Sequence, residues 1–121
     1  MKYSELNQLL LQRLPELFAG YAELKAIGDG DEPGPHVLYG DVLVPYLTAL
    51  LKSRGSDVAL ARIFRLLEEL ALSGEQDIRD VLGASVLEGL NGERDARDAA
   101  RDYMGPGTKR LAEEIERAWG S

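Results

Sequence analysis

The sequence predicts an all-α protein: one domain over residues 1–121, built as a compact right-handed stack of about six helices in antiparallel pairs. Two consecutive stretches, residues 58–72 and 77–90, repeat their apolar residues at the spacing of one helical face. Only residues 73–76 separate them, so the two helices must reverse direction and pack together. No segment alternates convincingly with the two-residue period of a strand. Helices alone are therefore expected to form the core.

The N-terminal part predicts two helices that meet near Leu14. A first apolar stripe ends at Leu14, and Pro15 follows, where a new helix can begin. A proline inside a helix costs about 3 kcal/mol, so a break is favoured over a single kinked helix. The second helix should run to about Ala26 and bury Leu17, Phe18, Tyr21 and Leu24.

Residues 28–34, Gly-Asp-Gly-Asp-Glu-Pro-Gly, read as an acidic surface loop. Their start resembles a calcium-binding EF-hand loop, but Pro33 occupies its fifth position and Gly40 its twelfth, where a glutamate is needed. After the loop, Asp41 is placed to cap a helix that carries Pro45 in its first turn. Gly55 should end this helix, and Ser56 or Asp57 should cap the next.

The C-terminal part predicts two further helices. Asn91-Gly92 is a strong stop signal, and residues 93–103 follow with arginines and aspartates in separate helical stripes. These charges should neutralise each other, which argues against a phosphate-binding surface. Thr108 is expected to cap the last helix, which should bury Leu111, Ile115, Ala118 and Trp119.

Composition limits the possible partners and the cellular location of the protein. The formal net charge of -7 disfavours nucleic acid and anionic membranes and favours a basic protein. The absence of cysteine excludes disulfides and thiolate chemistry and suits a reducing cytosol. The N-terminus does not read as a secretory signal, and no stretch reaches the ~18 apolar residues of a membrane span. We therefore expect a cytoplasmic protein that binds neither membranes nor nucleic acid.

Residues that could support catalysis or metal binding are few. His36 is the one histidine and lacks the helical His or Glu companion of a zinc or di-iron site, so we interpret it as a capping or packing residue. No serine lies in a nucleophile elbow. The pairs Glu68-Glu69 and Glu113-Glu114 read as solvent-facing charges. We expect no enzyme, no cofactor and no metal; an enzyme would need a concave pocket with perturbed carboxylates around His36.

Several motifs together resemble a family of small, all-helical, HEAT-like bacterial proteins that form single domains. Nearly the whole chain shares the resemblance, and its most specific parts are Pro35-His36-x-x-x-Gly40-Asp41 and Tyr103-Met104-Gly105-Pro106-x-Thr108. Other matching residues are Pro15-Glu16-Leu17, Tyr21, Ile63-Phe64, Leu67-Glu68, Ile115-Glu116 and Trp119. Such proteins resemble the immunity partners of polymorphic toxins, of the contact-dependent or Rhs type.

The resemblance implies an immunity protein that binds a cognate bacterial toxin and occludes its active site or substrate cleft. An acidic helical protein suits a basic cleft, because charge speeds encounter. The expected partner-facing residues are Asp29, Asp31, Glu32, His36 and Tyr39, with Asp77 and Asp80 as a second patch. The alternative is a HEAT-like scaffold or adaptor that binds a peptide or protein between its helix pairs without catalysis.

Overall fold

A computed structural model describes residues 1–53 and 57–118, and within these ranges the chain is all-α, as predicted. It holds seven helices and no strand in this part of the chain. Four of these helices contain segments of different pitch, which are given separately in the list below. The helices are α1 (Tyr3–Glu5 and Leu6–Arg13), α2 (Pro15–Leu17 and Phe18–Ile27), α3 (Pro35–Leu38, Tyr39–Leu43 and Val44–Ser53), α4 (Asp57–Ala71), α5 (Gln76–Asp80, Val81–Leu87 and Glu88–Asn91), α6 (Arg94–Ala100) and α7 (Pro106–Ala118).

The break between α1 and α2 lies where the sequence predicted it. Leu14 leaves helical geometry at φ -132° and ψ 72°, and Pro15 opens a 3-10 turn that leads into the rest of α2. Leu14 remains fully buried, so the break does not interrupt the core. The proline thus begins a helix, where its missing N–H has no helical partner to lose.

Helix α3 begins at Pro35, so the prediction that Asp41 caps it is wrong. Asp41 lies inside the continuous helix, in the π-helical segment Tyr39–Leu43. Its widened turn, in which the N–H of Val44 donates to the carbonyl of Tyr39, comes directly before Pro45. Pro45 cannot donate a backbone hydrogen bond, and its ring crowds the preceding turn, which is the part of α3 that widens. Buried Leu38, Tyr39 and Leu43 continue the apolar face of α3 on both sides of Asp41, which is why no new helix begins there.

Helices α4 and α5 pack together as predicted, and α5 also packs beside α3. Val81–Leu87 in α5 is π-helical and contacts the π segment of α3. A Cβ atom added at Gly40 would lie 3.8 Å from that of Ser85, and one added at Gly89 would lie 3.1 Å from Cγ1 of Val44. The paired positions advance in the same order along both helices. Helices α3 and α5 are therefore parallel, with their N-terminal ends at the same end of the protein.

Glu68 of α4 binds the start of α7, which corrects the prediction that Thr108 caps this helix. Its carboxylate accepts hydrogen bonds from the backbone N–H of Gly107 (2.8 Å) and of Thr108 (2.9 Å) and from the Thr108 hydroxyl (2.8 Å). A Cβ atom at Gly105 would lie 2.6 Å from Cδ of Glu68, so this glycine leaves room for the carboxylate. The helix begins at Pro106, and its cap comes from Glu68, not from the Thr108 side chain.

Glu68 and Glu69 are both half-buried, so their prediction as plain solvent-facing charges is wrong. Arg13 donates from both terminal nitrogens to the two oxygens of Glu69, each at 2.7 Å. The Arg13 hydrogen bond is the main reason why the pKa of Glu69 lies below its ordinary value. This bidentate pair ties α1 to α4, two helices whose sequence positions are far apart.

One hydrophobic core includes buried side chains from Leu6 to Met104. The single domain over residues 1–121 stays a prediction. Leu17 is buried as expected, but Phe18 is 59% exposed, so its assignment to the core is wrong. The predictions for Gly55, Ser56 and Trp119 fall outside the described residues. Within residues 1–53 and 57–118, no helix is both long and apolar enough to cross a membrane. The HEAT-like stacking stays a prediction.

Candidate docking site

The acidic loop, residues 28–34, begins with a tight turn directly after α2. The N–H of Gly30 donates to the carbonyl of Lys25 at 2.6 Å, and that of Asp31 donates to Gly28 at 3.0 Å. Asp29 and Gly30 have φ of 56° and 89°, in the left-handed region that aspartate tolerates better than most residues and glycine enters freely. Asp29 and Asp31 are both exposed. Their carboxylates are thus presented on a defined turn.

Glu32 is exposed but is also bound within the protein. Asn7 donates to its Oε2 at 2.9 Å and to the carbonyl of Pro33 at 2.7 Å, and the Tyr21 hydroxyl donates to Oε1. The hydrogen bonds from Asn7, then from Tyr21, lower the pKa of Glu32. Glu32 therefore anchors the acidic loop to α1 and α2, a role that the sequence did not indicate.

His36 lies in the first turn of α3, at the loop-to-helix junction that the sequence predicted. Its ring is exposed, and Nδ1 lies 2.8 Å from Oγ of Ser85 in α5. The contact joins the start of α3 to the π segment of α5. Ser85 is half-buried at this junction. A hydrogen bond between parallel helices is the packing role that was favoured for His36.

Tyr39 does not face a partner, so its prediction as a contact residue is wrong. Its side chain is fully buried, and its hydroxyl donates to the carbonyl of Leu6 at 2.7 Å. Burial raises the pKa of Tyr39 far above its ordinary value. Helix periodicity explains the error, because Tyr39 falls one residue after buried Leu38 and four before buried Leu43.

Asp77 and Asp80 are both exposed near the start of α5. Because α3 and α5 are parallel with Gly40 opposite Ser85, Asp80 is level with the first residues of α3. Asp77 is then level with the acidic loop. The structure therefore brings the two predicted patches, which are more than forty residues apart in sequence, to the same end of one helix pair.

This acidic end also suits the two helices themselves. Helix N-termini carry partial positive charge, and acidic side chains near them are stabilising. Asp77 lies in the first turn of α5. Asp80 also accepts a hydrogen bond from the amide of Gln76 at 2.7 Å. No group of three or more His, Asp or Glu side chains in the described part of the chain could hold a metal ion.

Two large apolar side chains flank the acidic loop, and sequence analysis missed their exposure. Ile27, the last residue of α2, is 82% exposed, and Val37 in α3 is 45% exposed. The available signal was that α2 carries apolar residues around most of its axis, with Leu24 on the half-buried side and Phe18 and Ile27 outside it. A ten-residue helix at the surface cannot bury both sides.

A family profile covers residues 7–120 and is described as a domain of unknown function (DUF7674). The chain belongs to this family. No curated protein and no solved structure matches this chain.

The two most specific motifs of the sequence occupy structural joints. His36 and Gly40 lie where α3 meets α5, and Gly105 and Thr108 lie where Glu68 caps α7. These residues specify how helices meet. Asp29 and Asp31, by contrast, are outside both motifs and are exposed.

Proposed function

We propose that this protein is a cytoplasmic immunity protein that binds a cognate bacterial polymorphic toxin and covers its active site or substrate cleft. The proposal is supported most by one observation: parallel packing of α3 and α5 puts the acidic loop and Asp77 and Asp80 at one end of the protein. A toxin that acts on nucleic acid needs a basic cleft, which an acidic end complements. The motif resemblance points to the same role.

Charge and apolar contacts would act at different stages of binding. Asp29, Asp31, Asp77 and Asp80 would steer the basic partner during encounter, which raises the association rate. Exposed apolar side chains beside the loop would then be desolvated in the complex and slow its dissociation. Inhibition by occlusion needs no chemistry from the immunity protein itself.

The test is co-expression and co-purification with the product of the neighbouring gene, followed by association kinetics at increasing salt. We expect a tight complex whose association slows as salt rises. The double variant Asp77→Asn/Asp80→Asn should slow association several-fold and change dissociation little. The control Asp95→Asn/Asp102→Asn removes the same charge from a different part of the surface and should have a smaller effect. No association, or association equally fast in high salt, would contradict the proposal.

The second candidate is an adaptor that binds a peptide without catalysis. It is favoured by a groove of about 320 Å³ beside α7, lined by Arg101, Met104, Lys109 and Ala112, among others. The lining combines apolar Met104 and Ala112 with charged side chains, which suits a short amphipathic peptide. Ala112→Trp should fill this groove. If the protein binds several helical peptides, Ala112→Trp abolishes that binding, and no toxin gene lies beside this one, the adaptor is favoured over the immunity protein.

A further inference from the structure

Helix α2 is apolar but lies at the surface. Within Phe18–Ile27, all of which the structure describes, no residue is buried. Its half-buried residues fall on one side of the helix, with Gly20 against Val42 of α3. The opposite side, here called the outer face of α2, consists of Phe18, Ala19, Ala22, Glu23, Ala26 and Ile27. All six are exposed and only one is charged, the reverse of what a solvent-facing helix side normally shows.

The outer face of α2 continues into the acidic loop. Ile27 immediately precedes Gly28, and the hydrogen bond from Tyr21 to Glu32 holds the loop against the side of the helix. Tyr21 also contacts Phe18, with ring centroids 5.9 Å apart, so aromatic and acidic groups adjoin. The result is an apolar strip with negative charge at its end.

We propose that the outer face of α2 and the acidic loop together dock an amphipathic helix of the partner protein, with lysine or arginine beside its apolar side. Charge complementarity selects this occupant, because Asp29 and Asp31 adjoin the strip and attract basic residues. A second copy of this chain is disfavoured, since each copy carries a net charge of -7. The inference rests on the proposed function for its partner and adds the contact surface.

Size supports the inclusion of the loop in this surface. A ten-residue helix is about 15 Å long, and its outer face alone is well short of the roughly 800 Å² per partner of a stable interface. The loop and the first turn of α3, with exposed Val37, extend the surface beyond Ile27. An occupant that covers both parts must contact apolar and acidic groups together.

The probe is a synthetic peptide of about 14 residues, long enough to lie along α2 and the loop, with leucines on one helical side and lysines on the other. A scrambled peptide of the same composition keeps the charge and loses the apolar side. We expect the amphipathic peptide to bind more tightly than the scrambled one and to slow amide hydrogen exchange in residues 18–27. Residues 18–27 should exchange early in the free protein, because none of them is buried.

The deciding variant is Ile27→Ser, with Leu72→Ser as its control, because Leu72 is also an exposed large apolar residue, at 69%. Ile27→Ser should weaken peptide binding about tenfold, the effect of exposing one buried aliphatic side chain, and Leu72→Ser should leave it unchanged. Equal effects of the two variants, or equal binding of the scrambled peptide, would overturn the inference. So would a dimer of the free protein that Ile27→Ser dissociates.

Failure here is distinguishable from failure of the proposed function. If the toxin complex forms and Ile27→Ser leaves its dissociation rate unchanged, the docking surface is wrong and the immunity role stands. If the peptide binds as expected but the neighbouring gene's product does not associate, the surface stands and the immunity role is wrong.

Discussion

Replacement of Glu68 is the most direct test of how the C-terminal helix is attached. Glu68→Ala removes the acceptor of three hydrogen bonds, two from backbone N–H groups and one from the buried Thr108 hydroxyl. Hydrogen bonds to a charged group contribute about 1.5–3 kcal/mol each. Because Glu68 is only half-buried and water can replace part of the loss, we expect a decrease of about 3 kcal/mol in the free energy of unfolding.

Urea denaturation at neutral pH measures this change, with Glu114→Ala as the control. Glu114 lies exposed on α7, and its replacement should change stability by no more than about 0.5 kcal/mol. Glu68→Gln keeps the shape but places an amide donor where a carboxylate oxygen accepted, so its loss should be intermediate. A Glu68→Ala protein as stable as the Glu114→Ala protein would refute the capping role.

The pH dependence gives a second readout of the same contact. Burial alone would raise the pKa of Glu68, but hydrogen bonds from Thr108 and Gly107 outweigh it and leave the pKa below its ordinary value. The unfolded state therefore binds the proton more readily, and stability rises with pH. The stability that the Glu68 carboxylate contributes is complete above its unfolded pKa of about 4.3 and is lost as pH falls through its folded pKa. The stability gap between wild type and Glu68→Gln should narrow in acid, and a constant gap would contradict the reasoning.

Three further outcomes are expected. Gly105→Ala should displace the Glu68 carboxylate and cost about 1–3 kcal/mol, whereas Gly74→Ala, with no atom within 4 Å of the new Cβ, should be nearly neutral in the same denaturation assay. Tyr39→Phe should cost about 1–2 kcal/mol in thermal or urea unfolding, because the buried hydrogen bond from the Tyr39 hydroxyl to the Leu6 carbonyl is lost. Asn7→Ala should free the acidic loop, seen as faster amide exchange at residues 28–34 and a higher NMR-measured pKa of Glu32.

Local patterns predicted the parts of the fold that local physics decides. Apolar periodicity located α4 and α5, Pro15 gave the break at Leu14, and Asn91-Gly92 gave the end of α5. The same rules failed at Asp41, which has the composition of a helix cap but lies inside α3. There the continuous burial of the helix overrode the local signal.

The remaining errors involve contacts between distant residues. Glu68 meets Thr108 across forty positions, and no local pattern shows that a glutamate on one helix will cap another. The seven predicted contact residues divide similarly: Asp29, Asp31, His36, Asp77 and Asp80 are exposed, Glu32 is exposed but engaged, and Tyr39 is buried. Acidic composition indicated the surface, and only packing showed that its two parts share one end.

The adjacent π segments of α3 and α5 make the lengths of these helices interdependent. The pairings of Gly40 with Ser85 and of Val44 with Gly89 hold because both helices widen at the same level. A π turn holds one residue more than an α turn, so deletion of one residue from Tyr39–Leu43 would return this turn of α3 to α geometry and keep Leu47 facing the core. The widened turn of α5 would then face an α turn that is one residue shorter. A viable deletion in one helix would therefore require a compensating deletion in its neighbour.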